Sequence, residues 1–370
     1  MTNQELNSRS TKTVESSGLH SRRVASKIDQ GFFAGQSTRS LGYRGGPYGF
    51  AVIAFKMIWL ALAAGFLLIP GIVRAQQYSF QNIAFPGDTF TQLLSINDGD
   101  VIAGYHGQAI NQGFTLTLPG PTFTAENFPN SAQTQVTGIN DAGVTSGFYI
   151  DAMRTNHGFL DNNGVFTTVG FPGTTFNQLL GLNNNGQAAG YFQDTNGFQH
   201  PYVLQPGGTF NLLSLPGGSS GQATDINDNG QVTGFYATAS GGDNGFLLSA
   251  GRLQTLSVPG AAITEALGLN NLGQVVGFFQ NTASSNPQGF IYSGGVFTTV
   301  NDPGASQTTI NGINNFGQIV GFALVGDAPS TVGFVGSPIA VPEPSLLSLL
   351  ALGSTSLIGM CILRSRRSFR

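Results

Sequence analysis

An asparagine that follows Ile or Leu recurs six times along the chain, at Asn97, Asn140, Asn183, Asn227, Asn270 and Asn314. Each is followed by a second oxygen-bearing side chain: Asp98, Asp141, Asn184, Asp228, Asn271 and Asn315. Gathered on one face, such pairs would offer carboxylate and amide oxygens to a calcium ion, because hard cations prefer oxygen ligands. They would equally suit sugar hydroxyls. The same residue types also close their own tight turns by hydrogen-bonding the nearby backbone. Three of the six second positions are Asn, which dilutes the charge a cation needs. The turn-closing role is therefore the expected one; no metal site is assigned, and calcium is the one cofactor the pattern allows. Asn227-Asp228-Asn229-Gly230 has the start of an EF-hand loop but lacks the downstream bidentate Glu, so it is not read as one.

No catalytic constellation emerges. Between residues 76 and 341 the histidines are His106, His157 and His200, and the last two each lie seventeen residues after a repeat asparagine. A shared repeat position points to a structural role. There is no H-E-x-x-H helix. The glutamates of this span, Glu126 and Glu265, fall in different repeat segments. Glycosidases need two carboxylates roughly 5–9.5 Å apart, so a glycoside hydrolase or lyase is the alternative to a non-enzymatic protein. The single cysteine, Cys361, lies near the C-terminus. That removes disulfides, thiolate nucleophiles and Cys-ligated zinc from the body of the chain.

The elements that position these residues follow from the repeat. The asparagines are 43 or 44 residues apart; each is preceded by a proline at eleven residues (Pro86, Pro129, Pro172, Pro216, Pro259, Pro303). Each is followed at seven by a glycine: Gly104, Gly147, Gly190, Gly234, Gly277, Gly321. Alternating apolar residues over five to seven positions, separated by Asn/Asp-Gly turns, predict four short strands per unit. A four-stranded unit of this length matches a β-propeller blade, usually about 40–45 residues. The chain enters with a lone strand, Gln77–Phe85, and its last unit lacks a fourth strand after Val332–Gly336. The lone strand would complete that unit and remove both open edges. The sequence thus predicts an all-β, six-bladed propeller of four-stranded blades, closed by the N-terminal strand. The repeat resembles the extracellular HAF-type repeat, in which an Ile-Asn-Asp/Asn-x-Gly turn precedes a His-x-aromatic strand start. His157-Gly158-Phe159 and His200-Pro201-Tyr202 fit that start, whereas Gly113-Phe114, Gly245-Phe246, Gly289-Phe290 and Gly333-Phe334 lack the histidine.

Strand alternation would place the recurrent Asn turns on one face of the propeller. The irregular loops fall on the other: His106–Gln112, Asp151–Asn156, Gln193–Gln199, Tyr236–Asn244, Gln280–Gln288 and Leu324–Thr331. Variable loops on a rigid scaffold are where binding usually sits. These are rich in Asn, Gln, Ser, Thr and Gly, which suits sugars.

Charge divides the chain sharply. Thirteen of its fifteen basic residues lie in 1–75 and in the last seven residues, leaving Arg154 and Arg252 against fourteen acids across 76–341, a net charge of −12. Such a body repels phosphate backbones, which excludes nucleic acid as a partner. The run Met57–Val73, ahead of Arg74-Ala75, has the apolar core and small residues of a secretory signal peptide, with cleavage expected after Ala75. Residues 1–49 are polar and Arg/Ser/Gly-rich; they read as a disordered extension or as sequence upstream of a start near Met57. Residues 50–75 are the signal segment and 76–338 the propeller. A linker, 339–344, leads to a nineteen-residue uncharged run at 345–363, expected to be a transmembrane helix, and 364–370 is a basic cytoplasmic tail.

The triplet Pro342-Glu343-Pro344, the apolar run and the arginine cluster together resemble the PEP-CTERM sorting signal of Gram-negative bacteria. The resemblance implies processing near the triplet by an exosortase-type membrane protease. It also implies transient anchoring in the inner membrane and delivery to the cell envelope or extracellular matrix. Such tails accompany exopolysaccharide and biofilm production. The function expected is a binding or scaffold module contacting exopolysaccharide or other surface proteins.

Overall fold

A computed structural model describes residues 77–326 and 330–339. Ala75, Pro342-Glu343-Pro344 and the run 345–363 lie outside the described residues. Among the described residues the only helical element is a 3-10 turn at Pro216–Gly218, and no helix is long and apolar enough to cross a membrane.

Strand β1 (Gln77–Ile83) enters first. Blade 1 is β2 (Thr91–Ile96), β3 (Val101–His106), β4 (Gln112–Thr117) and β5 (Thr122–Ala125). Blade 2 is β6 (Gln133–Ile139), β7 (Thr145–Ile150), β8 (Asn156–Asn162) and β9 (Val165–Val169). Blade 3 is β10 (Asn177–Leu182), β11 (Ala188–Gln193), β12 (Gln199–Leu204) and β13 (Phe210–Leu212). Blade 4 is β14 (Gly221–Ile226), β15 (Val232–Ala237), β16 (Asp243–Ser249) and β17 (Arg252–Leu256). Blade 5 is β18 (Ile263–Leu269), β19 (Val275–Gln280), β20 (Gln288–Ser293) and β21 (Val296–Thr299). Blade 6 holds β22 (Ala305–Ile313), β23 (Ile319–Val325) and β24 (Ser330–Ile339), and β1 completes it by pairing antiparallel with β24.

The six-bladed propeller closed by its N-terminal strand is therefore the observed fold. Two strand limits differ from expectation. β1 stops at Ile83 rather than Phe85, because the chain turns toward blade 1 there. β24 outruns Val332–Gly336 at both ends because β23 pairs with it from Ser330 to Gly336 and β1 from Gly333 to Ile339.

The repeat markers have a packing cause. Each recurrent glycine on a second strand lies opposite a third-strand aromatic: Gly104 opposite Phe114, Gly147 opposite Phe159, Gly190 opposite Tyr202 and so on around the ring. A Cβ at Gly147 would sit 2.1 Å from the Gln135 carbonyl oxygen and 2.8 Å from the Phe159 ring. Only glycine leaves the ring room to lie across the strand. The six aromatics, Phe114, Phe159, Tyr202, Phe246, Phe290 and Phe334, are completely buried. Each contributes roughly 1.5–3 kcal/mol through the apolar area it removes from water.

First strands stand innermost, touching their counterparts in neighbouring blades. Turns joining the first to second and third to fourth strands share one end of the barrel, the turn face. Loops joining the second to third strands, and the Pro-containing crossings between blades, share the other, the loop face.

Candidate functional site

On the turn face the recurrent asparagines form a closed circle. The side-chain amide of Asn97 donates to the Asn140 carbonyl, Asn140 to Asn183, Asn183 to Asn227, Asn227 to Asn270, Asn270 to Asn314, and Asn314 back to Asn97. Each Oδ1 meanwhile accepts two N–H groups of its own turn, as Asn227 does from Asn229 and Gln231. All six are buried. The side chains thus close their turns and also clasp each blade to the next.

The second positions make a separate circle, and they do not cap their own turns. The Asp98 N–H donates to Asp141 Oδ1, Asp141 to Asn184, Asn184 to Asp228, Asp228 to Asn271, Asn271 to Asn315, and Asn315 to Asp98. Their outer oxygens are bridged by amides: Asn184 Nδ2 donates to both Asp141 and Asp228, Asn271 to Asp228, and Asn315 to Asp98. Burial pushes the Asp228 carboxyl up, but the Asn184 N–H and the amides of Asn271 and Asn184 outweigh it and hold the group below its ordinary range. Three amides set among three acids turn a ring that would repel itself into a hydrogen-bonded one. The axial cavity beneath is only about 70 Å³. Among the described residues no group of three or more His, Cys, Asp or Glu could hold a metal ion.

Deeper in the channel, Asp225 stands where four other blades have glycine (Gly138, Gly181, Gly268, Gly312) and blade 1 has Ser95. It accepts the N–H of Ile226 and of Leu269 in the next blade. It lines the axial cavity and is pushed up by burial to about 7.

The three histidines lie at the loop face, each against an aspartate. His157 Nε2 is 3.0 Å from Asp151, and His200 Nε2 is 3.2 Å from Asp194. Both aspartates also accept two N–H groups of their own loops. Thr155 and then His157 hold Asp151 below its ordinary range; Phe198 and then His200 do the same for Asp194. His106 Nδ1 is 3.0 Å from Asp88, which ties a loop to a blade crossing. Each imidazole stacks on an aromatic: His106 on Phe85, His157 on Tyr149 and His200 on Phe192. These are loop staples.

The glutamates do not meet each other, but each meets an aspartate that sequence reasoning had not paired with it. Glu126 packs between blades 1 and 2, accepting the Thr145 hydroxyl, with the Asp161 charge nearby. Burial first, then Asp161, pushes Glu126 up to about 7. Asp161 is buried, and its Oδ1 has no partner among the described residues. Five other blade junctions fill the equivalent places with apolar residues or glycine: Ile83–Ile102–Leu116, Val169–Ala188–Leu204, Leu213–Val232–Leu248, Leu256–Val275–Tyr292 and Val300–Ile319–Gly336. Glu265 of blade 5 is pushed up to about 8 by burial and by Asp243 of blade 4. The aligned repeats carried a signal for Glu126, a polar side chain in an otherwise apolar column.

Two grooves open at the loop face, at equivalent places in the repeat. One, of about 370 Å³ at the junction of blades 1 and 2, is lined by Ile110, Asn111, Gln112 and the crossing Asn127–Thr134. The other, of about 340 Å³ at the junction of blades 4 and 5, is lined by Thr238, Ser240, Gly241, Gly242, Asn244, Ala261, Ala262, Ile263 and Ala283. Neither is lined by a charged side chain, and neither acid pair reaches their walls. The irregular loops predicted to bind form one wall of each. Blade crossings, which the sequence offered only as connections, form the other.

No family model matches the chain, and no curated protein does. Solved structures do. The putative TolB from Agrobacterium tumefaciens has a TM-score of 0.50 at 11% identity, covering 72% of this chain and 100% of that one. AofleA from Arthrobotrys oligospora has a TM-score of 0.47 at 10% identity, over 73% of this chain and 91% of that one. The Aleuria aurantia lectin, described as a six-bladed β-propeller with a novel fucose recognition mode, has a TM-score of 0.40 at 10% identity, over 72% and 97%. At 11% identity the likeness to the first of these is one of fold alone.

Proposed function

We propose that this chain is an exported, non-enzymatic binding propeller that contacts neutral exopolysaccharide through its junction grooves. On this reading an exosortase-type protease sorts it to the envelope or matrix through Pro342-Glu343-Pro344, after removal of the segment ending at Ala75. The observation that carries it is the chemistry of the two grooves. In a body of net charge −12, both are walled by amides, hydroxyls and small apolar surfaces with no charge. Neutral sugars need many uncharged hydrogen bonds and a few apolar faces; anionic ligands would be repelled by the surrounding field.

Against a glycan-cleaving activity stands the placement of the acids. Glu126–Asp161 and Glu265–Asp243 pair within blade junctions, and neither pair lines a groove. Co-sedimentation of the exported form with neutral and with anionic polysaccharides tests the proposal. Binding to the neutral polymer without new reducing ends is expected. No binding at millimolar sugar overturns it, and capture of another surface protein in its place would reassign the grooves.

A further inference from the structure

Large exposed apolar side chains are unevenly spread over the turn face. Leu272 and Phe316 occupy the same turn position in blades 5 and 6, where the other blades have Gly99, Ala142, Asn185 and Asn229. Val296 begins the fourth strand of blade 5, and Ile339 ends β24 in blade 6. Their exposures are 70%, 68%, 61% and 44% respectively. No charged residue lies in the turns of these two blades, whereas Asp98, Asp141 and Asp228 belong to blades 1, 2 and 4. The blade 5–6 sector is thus uncharged and holds four of the five large exposed apolar side chains of this face, the fifth being Val165 of blade 2, while Asp98 and Asp228 border it on either side.

The apolar sector is also where the described chain ends. β24 finishes at Ile339, in register with Gln77, so both strand ends emerge on the turn face. Five residues, 340–344, separate Ile339 from the uncharged run 345–363. Five residues span at most about 17 Å. If that run enters a bilayer, the blade 5–6 sector is held at the lipid surface, and the grooves, on the other face, look outward.

We propose that, while the chain is anchored by residues 345–363, the blade 5–6 sector of the turn face rests on the bilayer through Leu272, Val296 and Phe316. Blades 2 and 3, on the opposite side of the axis, tilt away, and both grooves face outward. This rests on the sorting-tail reading above. Amphipathic surfaces of this kind settle shallowly, at the boundary between headgroups and acyl chains.

The test uses the full chain with Cys361→Ser, reconstituted in neutral phosphatidylcholine vesicles. A fluorophore is placed at Leu272→Cys or Val296→Cys, with Phe316 intact, or at the loop-face positions Ile110→Cys or Met153→Cys. Quenching by brominated lipid is expected to be several-fold stronger at the two turn-face positions, with unchanged melting confirming that each variant folds. Equal quenching at both faces, or stronger quenching at Ile110 or Met153, overturns the orientation. Failure of the full chain to float with vesicles is a distinct result: it removes the anchor, and this inference falls with it.

Discussion

The two faces of the propeller use similar side chains for different ends. On the turn face Asn and Asp recur in register, and each recurrent polar group is answered by its counterpart in the next blade, giving two closed hydrogen-bonded circles. On the loop face Asn, Gln, Ser and Thr occur without register, and two of the junctions open into grooves. Periodicity separates the roles. A residue present in every blade meets its own copies and is consumed by assembly, while residues that differ from blade to blade are left to face a ligand.

The strongest way to break this comparison is at the inner circle. Asn227→Ala removes the acceptor of two turn-closing hydrogen bonds and the donor of one clasp between blades, leaving two part-buried N–H groups and the buried Asn270 carbonyl unanswered. We expect a loss of about 2–4 kcal/mol in denaturant unfolding, since each lost bond costs about 1 kcal/mol and each buried orphan more. A loss below ~0.5 kcal/mol would mean that the circle contributes little.

The next effect concerns the acids buried at the junctions and in the channel. Glu126, Asp225 and Glu265 have folded values raised to about 7, 7 and 8, above their ordinary range. The folded chain therefore holds protons that the unfolded chain has released. Stability from these groups is fully present below their unfolded values, near pH 4, and is lost as pH rises through 7–8. Asp88 and Asp228 are shifted the other way, so their contribution is lost as pH falls below 3.8. Thermal unfolding should thus be highest in mildly acidic buffer and lower at pH 8. Glu126→Gln should flatten this profile and raise stability at pH 8 by about 1–3 kcal/mol. A flat wild-type profile would contradict the burial argument.

A smaller effect is expected at the outer circle. Asn184→Asp exchanges an amide that bridges Asp141 and Asp228 for a third carboxylate between them. The position is exposed, so a destabilisation of about 0.5–1 kcal/mol is expected, relieved by added salt. Insensitivity to salt would argue that the bridging amide is incidental.

Most of the fold was legible in the sequence because packing leaves a residue type at a fixed place in every copy. Glycine marks where an aromatic ring crosses a strand, and asparagine marks the innermost turn. The clasp from each asparagine to the next was not foreseen, although its signal was present: identical polar residues on the innermost turns of a closed ring must face one another. Glu126 and Asp161 were missed for a different reason. They are 35 residues apart, in different blades, and meet only because the fourth strand of one blade packs on the second and third of the next. The grooves were half legible, since a loop's composition can be read but the blade crossing that faces it is known only once the blades are closed.

The central claim is that binding belongs to the loop-face grooves and assembly to the turn face. Affinity for neutral polysaccharide, measured for the wild type, the groove variant Gln112→Ala/Gln133→Ala and the turn-face variant Asp141→Asn, tests it most directly. The groove variant should keep its stability to within about 0.5 kcal/mol and lose about tenfold in affinity, roughly 1.4 kcal/mol; the turn-face variant should bind as the wild type does. Loss of binding in the turn-face variant with the groove variant unaffected would contradict the account.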